Sequence, residues 1–475
     1  MAENGKIKVL FAAFEAVPYA KTGGLGDVAG SLPKELNRLG ADVRLIMPRH
    51  GVIPDPERSK MEHVADFYVD LNWRHQYCGL DRITGPDSTV YFIDNEFYFK
   101  RDAVYGYGDD CERAAFFALA AVECIKYMDF EPDIIHCNDW HCAVIPAMLR
   151  LKKMDMRTVF TVHNLKFQGT CDGSFAGDIL GISWENAKSL GFDEFGHVNL
   201  MKSALRLSDR LTTVSPTYAK EICTEYFGEG ADGIFNERRS VLSGILNGID
   251  TKVLNPATDK NLPAHYSVRT WQKGKPSVKE ALQKRLGLEV SAGKPLFSII
   301  SRLTDQKGLD LVLAIIDEFM QEDVQFAVLG VGERRYEDKF KELAAAMPEK
   351  FAAAIYFDEP LSRMIYAGSD FMLVPSLFEP CGLTQITAMR YGTIPIVRET
   401  GGLKDSVRPY DGKKGVGFTF PNYNAHELLF KMKDAEYIYY NDKEALCGLI
   451  ERAMKKDFSW KTSAKKYLAL YSELV

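Results

Sequence analysis

Two doubly wound α/β domains are what this sequence predicts, on three observations. Its 475 residues exceed what one hydrophobic core holds, since single cores stop growing near roughly 250–300 residues. Short β-rich runs recur, each followed by a polar or glycine-bearing turn and then a helical pattern. The runs fall into two series, separated by a stretch with prolines and no periodicity. Near-continuous apolar strands alternating with helices form parallel sheets covered on both faces. Ligands of such sheets bind beyond the carboxyl ends of the strands. Two such domains are expected to face each other across a cleft, with a loop-borne site on each wall.

The first series is "IKVLFAA", "DVRLIMP", "TVYFID", "DIIHCN", "TVFTVHN", "RLTTVS" and "LSGILNG". After the opening run comes the turn "YAKTGGLGDVAG", Tyr19 to Gly30. Val28, Leu32, Leu36 and Leu39 then share one helical face, and Gly40 supplies the stop. Within the turn, Lys21 precedes Gly23, Gly24 and Gly26. Glycine allows close backbone approach, and a helix N-terminus favours an anion. A tight connection carrying a solvated lysine is the alternative, and both stay open at this point. The spacing fits neither G-x-G-x-x-G nor G-x-x-x-x-G-K-[ST].

"IIHCNDWHCAVIP" packs His136, Cys137, Asp139, His141 and Cys142 into seven residues. No second pair completes a zinc-knuckle spacing, so core thiols beside a polar loop are preferred to a metal centre. Asp94 to Glu96 read as a polar strand-end turn rather than a chelating pair. His163 and Asn164 close "TVFTVHN", where a lone histidine is more often structural.

The stretch from Asn255 to Pro276 reads as a linker, giving a first domain over 1–255 and a linker over 256–276. The second series is "LFSIISR", "QFAVLGVG", "AAIYFDE", "FMLVPS" and "IPIVRE". Leu309, Val312, Leu313, Ile316 and Met320 repeat the helical pattern. Arg302 and Lys307 stand five positions apart just past a strand, where a fork and a point charge suit a pyrophosphate. Surface charge is the plainer alternative. In "VPSLFEPCGLTQITAMRYGTIPIV" a strand ends in a loop holding Glu379, and Gly382, Leu383 and Thr384 open a helix that Gly392 ends. That helix start suits an anion. Glu379 is placed either to complement the helix dipole or to grip sugar hydroxyls.

Composition narrows the classes. Hydrophobic residues make up 46% and charged ones 26%, as in globular proteins generally. A net charge of −6 argues mildly against nucleic acid as the main partner. No apolar run approaches the ~20 residues that cross a bilayer, and "MAENGKIKVL" lacks the form of a signal peptide. A cytoplasmic protein without membrane attachment is expected. The nine irregularly spaced cysteines suggest reduced thiols.

Seven blocks together resemble the bacterial glycogen synthase and plant starch synthase family. They are "KTGGLGDVAGSLPKEL", "NDWHCAVIP", "TVHNLKFQG", "VSPTYAKEI", "GILNGID", "SRLTDQKGLDLV" and "FEPCGLTQITAMRYGTIPIVRETGGLKDSV". They stand in the family's order and reach to about residue 407. The resemblance implies a GT-B fold, two Rossmann-like domains with the active site between them. The N-terminal domain would be the starch synthase catalytic domain on the acceptor side. Residues 277–457 would bind the nucleotide sugar, and 458–475 would form a helix returning to the N-terminal domain. The implied reaction moves glucose from ADP-glucose to the non-reducing end of an α-1,4-glucan (glycogen, a starch-like polymer or maltooligosaccharides), with retention. No metal or other cofactor is implied.

By the same resemblance, His163, Arg302, Lys307 and Glu379 are catalytic. Lys21, Gly23, Gly24, Cys381, Gly382, Leu383 and Thr384 lie at the nucleotide phosphates, and Phe357 stacks on adenine. Asp139, Asn247 and Tyr105 lie near sugar or acceptor. Two positions depart from the family pattern. The usual His-Asp-Trp reads Asn138-Asp139-Trp140, and Thr387 stands where wider GT-B enzymes carry a second glutamate. A UDP-glucose-dependent transferase, including one making sucrose or trehalose, and an inactive glucan-binding protein are the alternatives. A nicotinamide oxidoreductase is disfavoured by the missing glycine fingerprint.

Overall fold

The computed structural model describes residues 5–475. The chain divides into two compact units. One runs from the N-terminus through Gly248 and takes in Trp460–Val475, and the other is Ile249–Ser459. The fold class read from the sequence is observed in each.

The first unit contains β1 (Lys8–Ala12), β2 (Asp42–Pro48), β3 (Glu62–Leu71), β4 (Arg74–Thr84), β5 (Thr89–Asp94), β6 (Ile134–Asn138) and β7 (Arg157–Val162). A trio follows, β8 (Thr170–Cys171), β9 (Asp193–Glu194) and β10 (His197–Asn199), then β11 (Arg210–Thr213) and β12 (Leu242–Gly244). The main sheet has the order β12-β11-β7-β6-β1-β2-β5-β4-β3. Its pairings are parallel except at β4, which runs antiparallel to both β5 and β3. The trio pairs antiparallel in the order β8-β10-β9.

The β3–β4 hairpin was not expected from the apolar runs. Its signal has a period of two. Phe67, Val69 and Leu71 are buried while Tyr68 and Asp70 are exposed, as on an edge strand with one solvated face. The central strands β1 and β6 are buried along nearly their whole length and so read as continuous apolar runs.

Helix α1 (Gly24–Arg38) packs on β2, with Val28, Leu32 and Leu36 of the expected stripe buried and Leu39 half-buried at its C-cap. Helix α2 (Asp110–Glu123) is buried along most of its length. The C-terminal helix Trp460–Ser472 packs on α1, and the Tyr471 hydroxyl lies 2.6 Å from His136 Nδ1 beneath the sheet.

The second unit carries β13 (Leu296–Ile300), β14 (Gln325–Leu329), β15 (Phe351–Ala354), β16 (Phe371–Val374), β17 (Ile394–Arg398) and β18 (Phe418–Phe420). All are parallel, in the order β15-β14-β13-β16-β17-β18. The linker reading of 256–276 needs correction. Leu262 and Tyr266 are buried in this unit's core, and the Tyr266 hydroxyl donates to the Tyr391 carbonyl at 2.7 Å. Helix α3 (Trp271–Leu286) begins inside the stretch and carries Pro276 within it. The prolines suggested a tether, whereas the buried tyrosine and Trp271 make it core. Lys275 of α3 is buried with Nζ donating to the carbonyls of Ala367 and Ser369 and to Thr393 Oγ1. Burial lowers its pKa to about 7.

The expectation of wholly reduced cysteines is also overturned. Cys111, in the first turn of α2, forms a disulfide with Cys171 at the end of β8. Spacing could not show this, because the two are 60 residues apart and meet only through the tertiary fold. Cys137 and Cys142 remain free and buried. Closing a loop of that length stabilises by roughly 4 kcal/mol in the chain-entropy description. A Cys111→Ser/Cys171→Ser double variant is therefore expected to unfold at lower urea concentration than the oxidised protein. Coincident urea curves would show that the bond does not constrain the unfolded chain.

Candidate functional site

In the second unit the candidate residues converge because glycine permits close backbone approach. Gly308 follows Lys307 with φ +68°, a conformation that favours glycine, and a Cβ there would meet the Pro375 carbonyl at 2.1 Å. This contact seats the loop after β13 against the loop after β16. Leu377 N–H donates to the Gln306 carbonyl at 2.9 Å, and Gln306 Nε2 donates to the Phe378 carbonyl at 3.3 Å. Lys307 Nζ thereby reaches Glu379 Oε2 at 2.6 Å, and Ser376 Oγ donates to the same oxygen at 3.0 Å. Glu379 and Ser376 are buried.

The turn at Thr400–Leu403 supports the glutamate from behind. Gly402 N–H donates to the carbonyls of Glu379 and Pro380, and a Cβ on Gly401 would meet the Glu379 carbonyl at 2.0 Å. Gly382 has φ +73° and turns the chain into the helix α4 (Thr384–Arg390). Gln385 Nε2 holds this turn through the Cys381 and Gly382 carbonyls and Ser406 Oγ. Cys381 is buried, while Gly382, Leu383 and Thr384 are half-buried.

Arg302 is exposed, and no hydrogen bond or ion pair ties its guanidinium to the described residues. Phe357 follows β15 and is 87% exposed, an apolar ring open to stacking. Thr387 is buried on α4.

The first unit assembles a second set where β1, β6 and β7 end side by side. Glu15 Oε2 accepts from Thr22 N–H at 2.6 Å and from Thr22 Oγ1 at 2.7 Å, and its other oxygen accepts from Gly26 N–H at 3.1 Å. The start of α1 thus already holds an anion, the protein's own carboxylate. The N–H groups of Thr22 and Gly26 are thereby already engaged. Gly23 is the N-cap and Gly24 the first helical residue. Lys21 is exposed and pairs with Asp27 at 2.7 Å, a surface pair that adds little stability.

Asp139 leaves β6 with φ +56°, and its carboxylate accepts from His163 N–H at 2.7 Å. Burial, and to a smaller extent the Glu15 charge, raise its pKa to about 7 against the hydrogen bonds of His163 and Asn164. Burial likewise raises the pKa of Glu15. His163 Nε2 lies 2.9 Å from Asn138 Oδ1, and burial lowers its pKa to about 3, so the ring is neutral at physiological pH. Tyr105 stacks on Phe14 and lies tilted by 30° against the His141 ring, and it senses the charges of Glu15 and Asp139. Asn247 is buried with Oδ1 unpartnered among the described residues.

The structure therefore joins Lys307 with Glu379, and Asp139 with His163, by hydrogen bonds. It places Tyr105 near Asp139. It ties Arg302, Phe357, Asn247 and Lys21 to none of the others. His136 and Cys142 of the suspected metal cluster are otherwise engaged. His136 bonds Tyr471 and Thr161, and Cys142 bonds the Ala12 carbonyl. Glu15, Asp27 and Ser376 were not singled out from sequence, and Asn138 was noted only as a departure from the family motif. Glu15 had a signal, a lone acid inside the apolar run "LFAAFEAVP". Ser376 had none beyond lying near a strand end, whereas Asn138 stood out by replacing the motif histidine.

Known proteins share this sequence and fold. Residues 8–237 match the model of the starch synthase catalytic domain, and residues 282–445 match glycosyl transferases group 1. The glycogen synthase of Anoxybacillus flavithermus is 46% identical over 99% of this chain and 98% of its own. Those of Geobacillus stearothermophilus and Lachnospira eligens are each 48% identical at 98% coverage or more of both chains. The solved catalytic domain of Starch Synthase IV from Arabidopsis thaliana, bound to ADP and acarbose, superposes with a TM-score of 0.92. It is 34% identical, over 99% of both chains. Sucrose-phosphate synthase from Thermosynechococcus elongatus, 16% identical with a TM-score of 0.62 over 99% of both chains, shares the fold.

A carboxyl group titrating near pH 7 is expected in ¹³C spectra of aspartate-labelled protein, and it should vanish in Asp139→Asn. The folded state holds this proton more tightly than the unfolded chain. The resulting stabilisation is complete below pH 3.8 and is lost as the pH rises to about 7. A group that finishes titrating by pH 5 would contradict the burial argument.

Proposed function

The chain belongs to the glycogen synthase family, and from that premise we propose how its two units divide the transfer of glucose. The enzyme is a retaining glucosyltransferase of GT-B fold, acting as a glycogen (starch) synthase. We assign ADP-glucose as donor and the non-reducing end of an α-1,4-glucan as acceptor. The glycogen synthase relatives support this, as does a solved starch synthase holding ADP and acarbose. Kinship with bacterial glycogen synthases also supports a cytoplasmic location.

The observation that carries the mechanism is the half-buried contact of Lys307 with Glu379. Breaking the C1–O bond to ADP builds negative charge on the leaving phosphate and positive charge on the sugar ring. In this reading the second unit handles the leaving group. Lys307 and Arg302 neutralise the diphosphate, and the Gly382–Thr384 turn offers backbone N–H groups. Glu379 orients the glucose hydroxyls, and Phe357 stacks on the adenine. Fixed donors aimed at developing charge do the work because they need no reorganisation during the reaction. The first unit supplies Asp139, His163, Tyr105 and Asn247 to sugar and acceptor, and Lys21 to phosphate. Front-face attack, with the leaving phosphate taking the acceptor's proton, gives retention without a carboxylate pair of the glycosidase kind. We further propose that the basic side chains do the charge stabilisation without a metal ion.

Incubation with radiolabelled ADP-glucose and glycogen should place label in polymer, and more slowly with UDP-glucose. A UDP-glucose preference would overturn the donor assignment. Lys307→Gln keeps a hydrogen-bond donor for Glu379 but removes the charge. It should lower kcat on the order of 10²–10³-fold with folding unchanged. Undiminished turnover would remove Lys307 from the site. Activity should persist in excess EDTA, and its loss would bring a metal into the mechanism.

A further inference from the structure

We propose that Asn138 is a positioning residue that locks His163 in the tautomer protonated at Nε2, leaving Nδ1 as the ring's one acceptor. Which groups can donate decides the tautomer. Asn138 is the last residue of β6 and is buried. Its Nδ2 lies 3.0 Å from the Ala12 carbonyl on β1 and 3.3 Å from the His136 carbonyl. Both partners only accept, so the amide must present its NH₂ group to them. Its oxygen then faces His163 Nε2 at 2.9 Å. An amide oxygen cannot donate, so the proton of that bond belongs to the imidazole.

The backbone of His163 is held separately, by its N–H on Asp139. Ring and main chain are thus fixed by two consecutive residues of one strand end. The titratable groups around the ring are His136 and Asp139. His136 is neutral with both nitrogens engaged, by Tyr471 and Thr161, and the Asp139 carboxylate faces the His163 main chain rather than its ring. Burial disfavours a charged imidazole, and no carboxylate on the ring opposes it.

Resting on the reading that His163 meets the donor glucose, this has a chemical consequence. Nδ1 has no partner among the described residues and can accept from a sugar hydroxyl. A neutral acceptor adds no positive charge beside a C1 that is itself becoming positive. An aspartate at 138 would do the opposite, drawing a second proton onto the ring. Asparagine in place of the usual motif histidine is therefore a working substitution, since both residue types offer a donor nitrogen and a separate acceptor atom.

The test is ¹⁵N spectroscopy of histidine-labelled enzyme, with the His163 signals assigned by their loss in His163→Gln. The lock predicts a protonated Nε2 and a bare Nδ1 from pH 6 to 8. A bare Nε2, or a doubly protonated ring, overturns it. In assays with ADP-glucose and glycogen, Asn138→Leu should lower kcat about tenfold with KM little changed, through the loss of the hydrogen bond that holds the His163 ring. Asn138→His should recover part of that loss, and Asn138→Asp should be slow at neutral pH and gain as the pH rises. No recovery in Asn138→His, despite native folding, counts against the lock. The two readings separate cleanly. A protonated Nε2 with full turnover in His163→Gln keeps the lock and removes His163 from the donor site. A bare Nε2 with turnover abolished in His163→Gln does the reverse.

Discussion

Parallel pairing of neighbouring strands is the constraint on which the candidate chemistry depends. β1 pairs with β6 through Ala12 and Cys137, and β6 pairs with β7 through Asn138 and Thr161. The three strands therefore end at one level. Residues a few positions past each end, Glu15, Asp139 and His163, are neighbours although they are far apart in sequence. The second unit repeats the device. β13 and β16 are parallel neighbours, so the loops carrying Lys307 and Glu379 emerge side by side. A one-residue slip in either ladder would turn each side chain to the opposite face of its sheet.

Near these strand ends the protein buries ionisable groups and manages the cost in different ways. Lys307 and Glu379 are paired directly. Glu15 is met by backbone N–H groups and a hydroxyl, so that a carboxylate with raised pKa caps the helix start. Asp139 and His163 are shifted mainly by desolvation, one toward the protonated acid and the other toward the free base. Both shifts favour neutral forms, which suits a pocket in which the substrate carries the charges. Perturbed groups of this kind gather at functional sites more than elsewhere.

Glycine has a different role in each unit. Gly308, Gly401 and Gly402 admit backbone contacts that no side chain could share, and so draw three loops around Glu379. In the first unit Gly30 lets α1 approach Val17, where a Cβ would lie 2.3 Å from the valine side chain. Glycines within the family blocks thus serve as packing surfaces, where an added side chain would collide with its neighbours.

The sequence by itself determined the α/β class, the two series of parallel strands and the positions of the loop-borne groups. Those depend on local periodicity and on turns, which are written within a few residues. It also held the family blocks that name the chemistry. What only the tertiary structure decided was who meets whom. The Cys111–Cys171 bond, the Glu15 cap of α1 and the Asn138 contact with His163 each join separate strand ends or loops. The burial of 256–276 in the second unit's core, and the alternating β3–β4 edge, depend on which surfaces the neighbouring elements cover. Such contacts arise from strand order, and no short-range pattern encodes strand order.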